Sequence, residues 1–68
     1  MTPRQQWDAR QELQRMAAEL FYLDPDCAAV KITIHAIVKA RENDLTIEHF
    51  DTLKRRYNGH LRDFRGEI

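Results

Sequence analysis

Apolar residues recur at three- and four-residue steps in three stretches of the chain, with polar or turn-forming residues between them. In the first stretch, Ala9, Leu13, Met16, Ala17, Leu20 and Leu23 form one stripe about 120° wide, the pattern of an amphipathic helix with a single core face. Thr2-Pro3-Arg4-Gln5 marks its start: a hydroxyl cap, proline at the first helical position, and a glutamine placed to reach back. Pro25 disfavours helical geometry at Asp24, so the first helix is predicted over 3–23. In the last stretch Phe50, Leu53, Tyr57, Leu61, Phe64 and Ile68 keep helical phase, behind Thr46 as cap and Leu45 placed to staple against Phe50. The phase runs through Asn58-Gly59, so Gly59 is read as a soft point costing roughly 1 kcal/mol rather than a stop. Gly66 is read as the terminator, which gives a third helix over 47–65.

The middle stretch, Cys27 to Ala40 (CAAVKITIHAIVKA), is the most apolar and most β-branched part of the chain. Projected as a helix, Cys27, Val30, Ile34, Ile37 and Val38 fall on one face and Ala29, Thr33, Ala36 and Ala40 on another, with Ile32 nearly opposite Ile34. A helix apolar on more than one side is expected between neighbours, and the small face admits a close backbone. Asp24 as cap, Pro25 at the first position and Asn43-Asp44 as the stop predict this helix over 25–42. Residues 30–36 also alternate as a strand would. No second strand-like run accompanies them, so such a strand would have to pair across a dimer, as in ribbon-helix-helix repressors. There a helix of about three turns follows the strand, whereas here only Ile37 to Glu42 precede the break; pattern and length favour helix.

The fold expected is therefore all-α: one domain, a small three-helix bundle with the middle helix central. Short connections favour antiparallel neighbours. A chain of 68 residues buries only about 60% of its unfolded surface, and pairing with a second copy or another protein is a common remedy. Whether the bundle closes alone or by dimerisation stays open at this stage.

Charge and cysteine content narrow the function classes. Eleven basic and eleven acidic residues cancel, leaving no bulk attraction to nucleic acid or membrane. Cys27 is the single cysteine and is read as a small buried hydrophobe. The polar start MTPRQQWDARQ lacks the apolar core of a signal peptide, and no run approaches the roughly 20 apolar residues that span a bilayer. A cytoplasmic protein without membrane association is expected.

Asp44-Leu45-Thr46-Ile47-Glu48-His49-Phe50, followed by Leu53-Lys54, resembles over about fifteen residues the turn and helix start of short C-terminal oligomerisation domains of the SHOCT type. The shared letters are ordinary capping letters and carry no function across.

Candidate chemistry is sparse. A calcium loop at Asp24 and Asp26 fails because Ala28 and Ala29 stand where a ligand and a glycine are needed, and His35 stands where a bidentate glutamate is needed. Among Cys27, His35, His49 and His60 no helix carries a ligand pair at one-turn spacing; Cys27 and His35 lie about 12 Å apart along a helix axis. Only a zinc site assembled from different helices would be left, and no metal is expected. Asp8 with Glu12 and Glu48 with Asp51 read as charged helix faces. Without a phosphate loop or nucleophile motif, no catalytic residue, cofactor or small-molecule substrate is expected.

Two surfaces remain. Trp7, Ala18, Phe21 and Tyr22 lie outside the first helix's stripe and give it more apolar area than one neighbour needs; a third helix could cover them, or a partner could. Glu42 to Asp51 carries four acidic residues and no basic one, while Lys54 to Arg65 carries five basic residues and one acidic, as macrodipole complementarity favours. Lys54, Arg55, Asn58, Arg62 and Arg65 also share one side of the helix. The expectation is a small non-enzymatic protein–protein interaction module, a regulator, inhibitor or adaptor, binding another protein or a second copy through Trp7, Phe21 and Tyr22. The alternative is a nucleic-acid-binding protein using Lys54, Arg55, Arg62 and Arg65, although the Asn43 to Thr46 turn and the acidic start of the third helix lack a helix-turn-helix signature.

Overall fold

The computed structural model describes residues 1–66 and places three helices, α1 (Pro3–Leu23), α2 (Ala28–Arg41) and α3 (Ile47–Gly66), with no strand among the described residues. Residues 30–36 are helical, as pattern and length favour, and the strand alternative falls. At the start of α1 the Thr2 hydroxyl accepts from the Gln5 N–H (3.1 Å) and the Gln5 side chain accepts from the Thr2 N–H (2.8 Å), a complete capping box. At α3 the Thr46 hydroxyl accepts from the His49 N–H at 3.1 Å. Both caps lie where the sequence places them. Helix α3 includes Gly66 rather than stopping before it, and Ile68, the last position of its apolar stripe, lies outside the described residues.

Helix α2 begins three residues later than Asp24 and Pro25 suggest. Asp24 closes α1 instead, donating its N–H to the Leu20 carbonyl at 2.8 Å, and its own carbonyl accepts from the Cys27 N–H at 3.1 Å. Pro25 and Asp26 are consumed in reversing the chain, and Cys27, extended at φ −76° and ψ 150°, is the residue before α2, with no side-chain cap bond. At the other end Asn43 takes φ 58°, a left-handed conformation that asparagine tolerates better than most residues.

The directions follow from which ends meet. Asp24 to Cys27 joins α1 to α2 at one end of the molecule. At the other, buried Gln6 of α1 pairs both amide atoms with the backbone of Leu45, donating from Nε2 to the carbonyl (2.8 Å) and accepting from the N–H at Oε1 (3.3 Å). Hence α1 and α2 are antiparallel, and α3, starting beside the head of α1, runs parallel to it.

The core lies between α1 and α2, with α3 packed against both and the middle helix in contact with each neighbour as expected. Ala9, Leu13, Met16, Ala17 and Leu20 are buried, against Val30, Ala36 and Ala40 of α2, Leu45, and Leu53 and Tyr57 of α3. Phe50 is partly buried against this cluster, which includes Leu45, as are Ile32, Ile37 and Leu61. The closest packing is between α1 and α2, and α2 buries its small face there, with Thr33 (3% exposed), Ala36 and Ala40 inward. The Thr33 hydroxyl is satisfied by the Ala29 carbonyl at 2.7 Å. The β-branched face divides: Val30 is buried, Ile37 partly so, and Ile34 and Val38 stand exposed. Thus α2 touches both other helices without being enclosed by them. The backbone spans 40 × 19 × 15 Å, little more than one helix thick in its shortest dimension, so every helix keeps an outward face.

Gly59 sits inside α3, and a methyl group built on it meets nothing within 4 Å. Its cost is therefore backbone entropy alone. Gly59→Ala is expected to raise stability by about 1 kcal/mol, read as a higher urea midpoint at unchanged slope; a lower midpoint would mean that α3 is not helical there.

Candidate interaction surfaces

One flank of α1 is closed by α3. Around α1 from the core stripe, Glu12, Met16 and Glu19 lie on one side and Arg10, Ala17 and Phe21 on the other. The Tyr57 hydroxyl of α3 donates to the Glu19 carboxylate, and the Arg15 guanidinium sits 6.0 Å from the Tyr57 ring centroid. Arg15 also pairs with Glu12 at 2.6 Å and with Glu19 at 3.8 Å, and its bonding to Glu12 holds that carboxyl below its ordinary value. Nearer the head of α1, Lys54 and Phe50 share a cleft with Asp8 and Glu12. So α3 takes the acidic flank of the first helix.

The opposite flank stays open. On α2, Ala28 and Ile32 share a cleft with Leu53, Tyr57 and His60 of α3. Ile34 and Val38, on the far side of the helix, therefore turn away from α3, toward the same side as Phe21. Together Phe21 (60% exposed), Ile34 (49%) and Val38 (43%) form an apolar face over the α1–α2 pair. A third helix does not cover the aromatic residues of α1, because α3 is held to the acidic flank instead.

The expected contact trio is spread along this surface rather than gathered. Trp7 is half exposed and lies fourteen residues before Phe21, about 21 Å along the axis, with Gln11 and Gln14 between. The Arg4 guanidinium stands 5.7 Å from its ring centroid. Tyr22 is 86% exposed and projects into solvent beyond Phe21. Ile34 and Val38 are the members that the sequence pattern assigned to the core. Their four-residue spacing nearly opposite Ala36 was the available signal.

The basic residues of α3 are only partly free. The Lys54 ammonium lies 5.2 Å from the Phe50 ring centroid, drawn toward the Asp8 and Glu12 side of α1. Arg55 and Arg62 are exposed and form no ion pair among the described residues. Arg65 belongs to α3, with its side chain outside the described set. Of the histidines, His35 is exposed and His49 and His60 are partly buried; His60 lies near Cys27. No helix among the described residues is long and apolar enough to cross a membrane. Comparison with protein-family models, curated proteins and solved structures returned no match.

Burial and the neighbouring Glu19 carboxylate hold the Tyr57 phenol above its ordinary value of 10.0. Folding thus favours the protonated phenol, so its contribution is intact below about pH 10 and declines as pH rises past it. Tyr57→Phe is expected to flatten the alkaline loss of stability, read by urea midpoints at about pH 9 and about pH 11. An unchanged alkaline slope would place Tyr57 away from Glu19.

Proposed function

We propose that this chain is a small non-enzymatic interaction module, a cytoplasmic regulator or adaptor that acts by occupying a surface on a second copy of itself or on another protein. The observation that carries the reading is the open apolar face over α1 and α2, where Phe21, Ile34 and Val38 remain about half exposed or more. Exposed branched and aromatic side chains cost solubility unless a partner covers them, and a 68-residue chain has much to gain from such cover. Phe21 is the aromatic anchor near the α1–α2 corner, Ile34 and Val38 the apolar residues of α2, and Trp7 an outlying contact at the other end of α1. A nucleic-acid reading would use the basic side of α3, where Lys54, Arg55 and Arg62 are exposed and Lys54 lies over the Phe50 ring, a short phosphate track.

Sedimentation velocity of the wild type and a Phe21→Ser, Ile34→Ser double variant tests the reading. Both positions are exposed, so helical content should hold, while self-association or binding to a purified partner weakens at least about tenfold. Equal association by the two proteins at equal helicity would remove this face from consideration. Labelled duplex binding that falls steeply between about 50 and about 200 mM salt would transfer the function to Lys54, Arg55 and Arg62.

A further inference from the structure

The corner between α1 and α2 brings three metal-ligating side chains together with α3. One ligating atom each from Asp24, Cys27 and His60 lies within 4.8 Å of the others, and all three residues are partly buried. They come from different elements: Asp24 ends α1, Cys27 precedes α2, and His60 lies in the second half of α3. The backbone fixes the first two relative to each other, because the Cys27 N–H donates to the Asp24 carbonyl at 3.1 Å.

His60 is the unusual member. Its Nε2 is shut off from solvent and has no hydrogen-bond partner among the described residues. A buried imidazole nitrogen is ordinarily satisfied, and an orphan beside a thiol and a carboxylate is the condition of a histidine placed for a ligand. The ring also borders a cavity of about 260 Å³ lined by Ala28, Ile32, Arg56 and Asp63, which Asp24 and Cys27 do not line.

We infer that Asp24, Cys27 and His60 form a binding site for a zinc-class divalent ion. Donor chemistry selects the class: thiolate, imidazole and carboxylate together suit zinc, whereas calcium and magnesium require oxygen ligands. Zinc bonds of about 2.0–2.3 Å put tetrahedral ligands roughly 3.3–3.8 Å apart. The 4.8 Å limit on the present spacing thus leaves at most about 1.5 Å to close, within the reach of rotamer adjustment at an intermediate-exposure site. On coordination the Cys27 thiol gives its proton to solvent, and a water takes the fourth position. The ion links the α1–α2 corner to α3 beyond Tyr57, where Phe64 is half exposed and few other contacts hold the helix. The site acts as a metal-dependent staple of α3 onto the helical pair, and it stands independently of the open apolar face.

The test is titration of the reduced, metal-stripped chain with zinc chloride and, separately, cobalt chloride. With zinc at about 100-fold over its dissociation constant, the thermal midpoint should rise on the order of 10 °C. Cobalt should develop a thiolate charge-transfer band in the near ultraviolet, and Cys27→Ala and His60→Ala should each abolish both responses. Loss of affinity should exceed the roughly 10–100-fold that removal of a merely supporting residue costs. A wild type that shows neither midpoint shift nor thiolate band overturns the site, a result no misfolded variant can obscure. Responses that persist in either variant overturn it equally, by placing the metal at other ligands.

Discussion

Thr33, Ala36 and Ala40 present to α1 a strip of α2 with no large side chain, and the rest of the molecule follows from that contact. A small-residue strip admits the larger side chains of α1, Leu13, Met16 and Leu20, into the seam, all of them at 1% exposure or less. Large residues on both sides would hold two helices toward the upper end of the 8–10 Å range of axis separations. Because the small face is inward, Ile34 and Val38 must point out. The same choice of face that closes the pair therefore creates its open apolar surface.

The third helix is attached at points rather than along a seam. Gln6 grips the Leu45 backbone at the head of α1, and Tyr57 reaches Glu19 further along. Leu53 and Tyr57 supply the buried apolar contact between those two points. Beyond Tyr57, Leu61 is only partly buried against the core and Phe64 is half exposed. The Asp24, Cys27 and His60 group lies at that end, so a metal there would complete an attachment that polar pairing begins.

Helix existence was legible because caps and periodicity agreed: Thr2 with Gln5, Thr46 before Ile47, and apolar stripes in phase. Boundaries were less so, since Asp24-Pro25 reads equally as the start of one helix or the end of another, and reversing the chain needed the residues in between. The small face of α2 was legible as a close-contact surface, and Thr33, Ala36 and Ala40 are buried; that Ile34 and Val38 stay uncovered was not, because hydrophobicity favours burying them as well. Size complementarity to α1 decides between the faces, and that depends on the partner helix. Gln6 sat in phase with the core stripe at three residues before Ala9, yet a polar letter gave no reason to place it inside until the unpaired backbone of Leu45 was known. Cys27 and His60 are 33 residues apart, and only the parallel course of α1 and α3 brings them to one corner.

The most direct test of the packing is methyl NMR of the chain with a soluble paramagnetic gadolinium chelate, comparing the two faces of α2. Strong broadening of the Ile34 and Val38 methyls with protection of Ala36 and Ala40 is the expected result. The reverse pattern would mean that α2 buries its β-branched face, and the open surface over α1 and α2 would not exist.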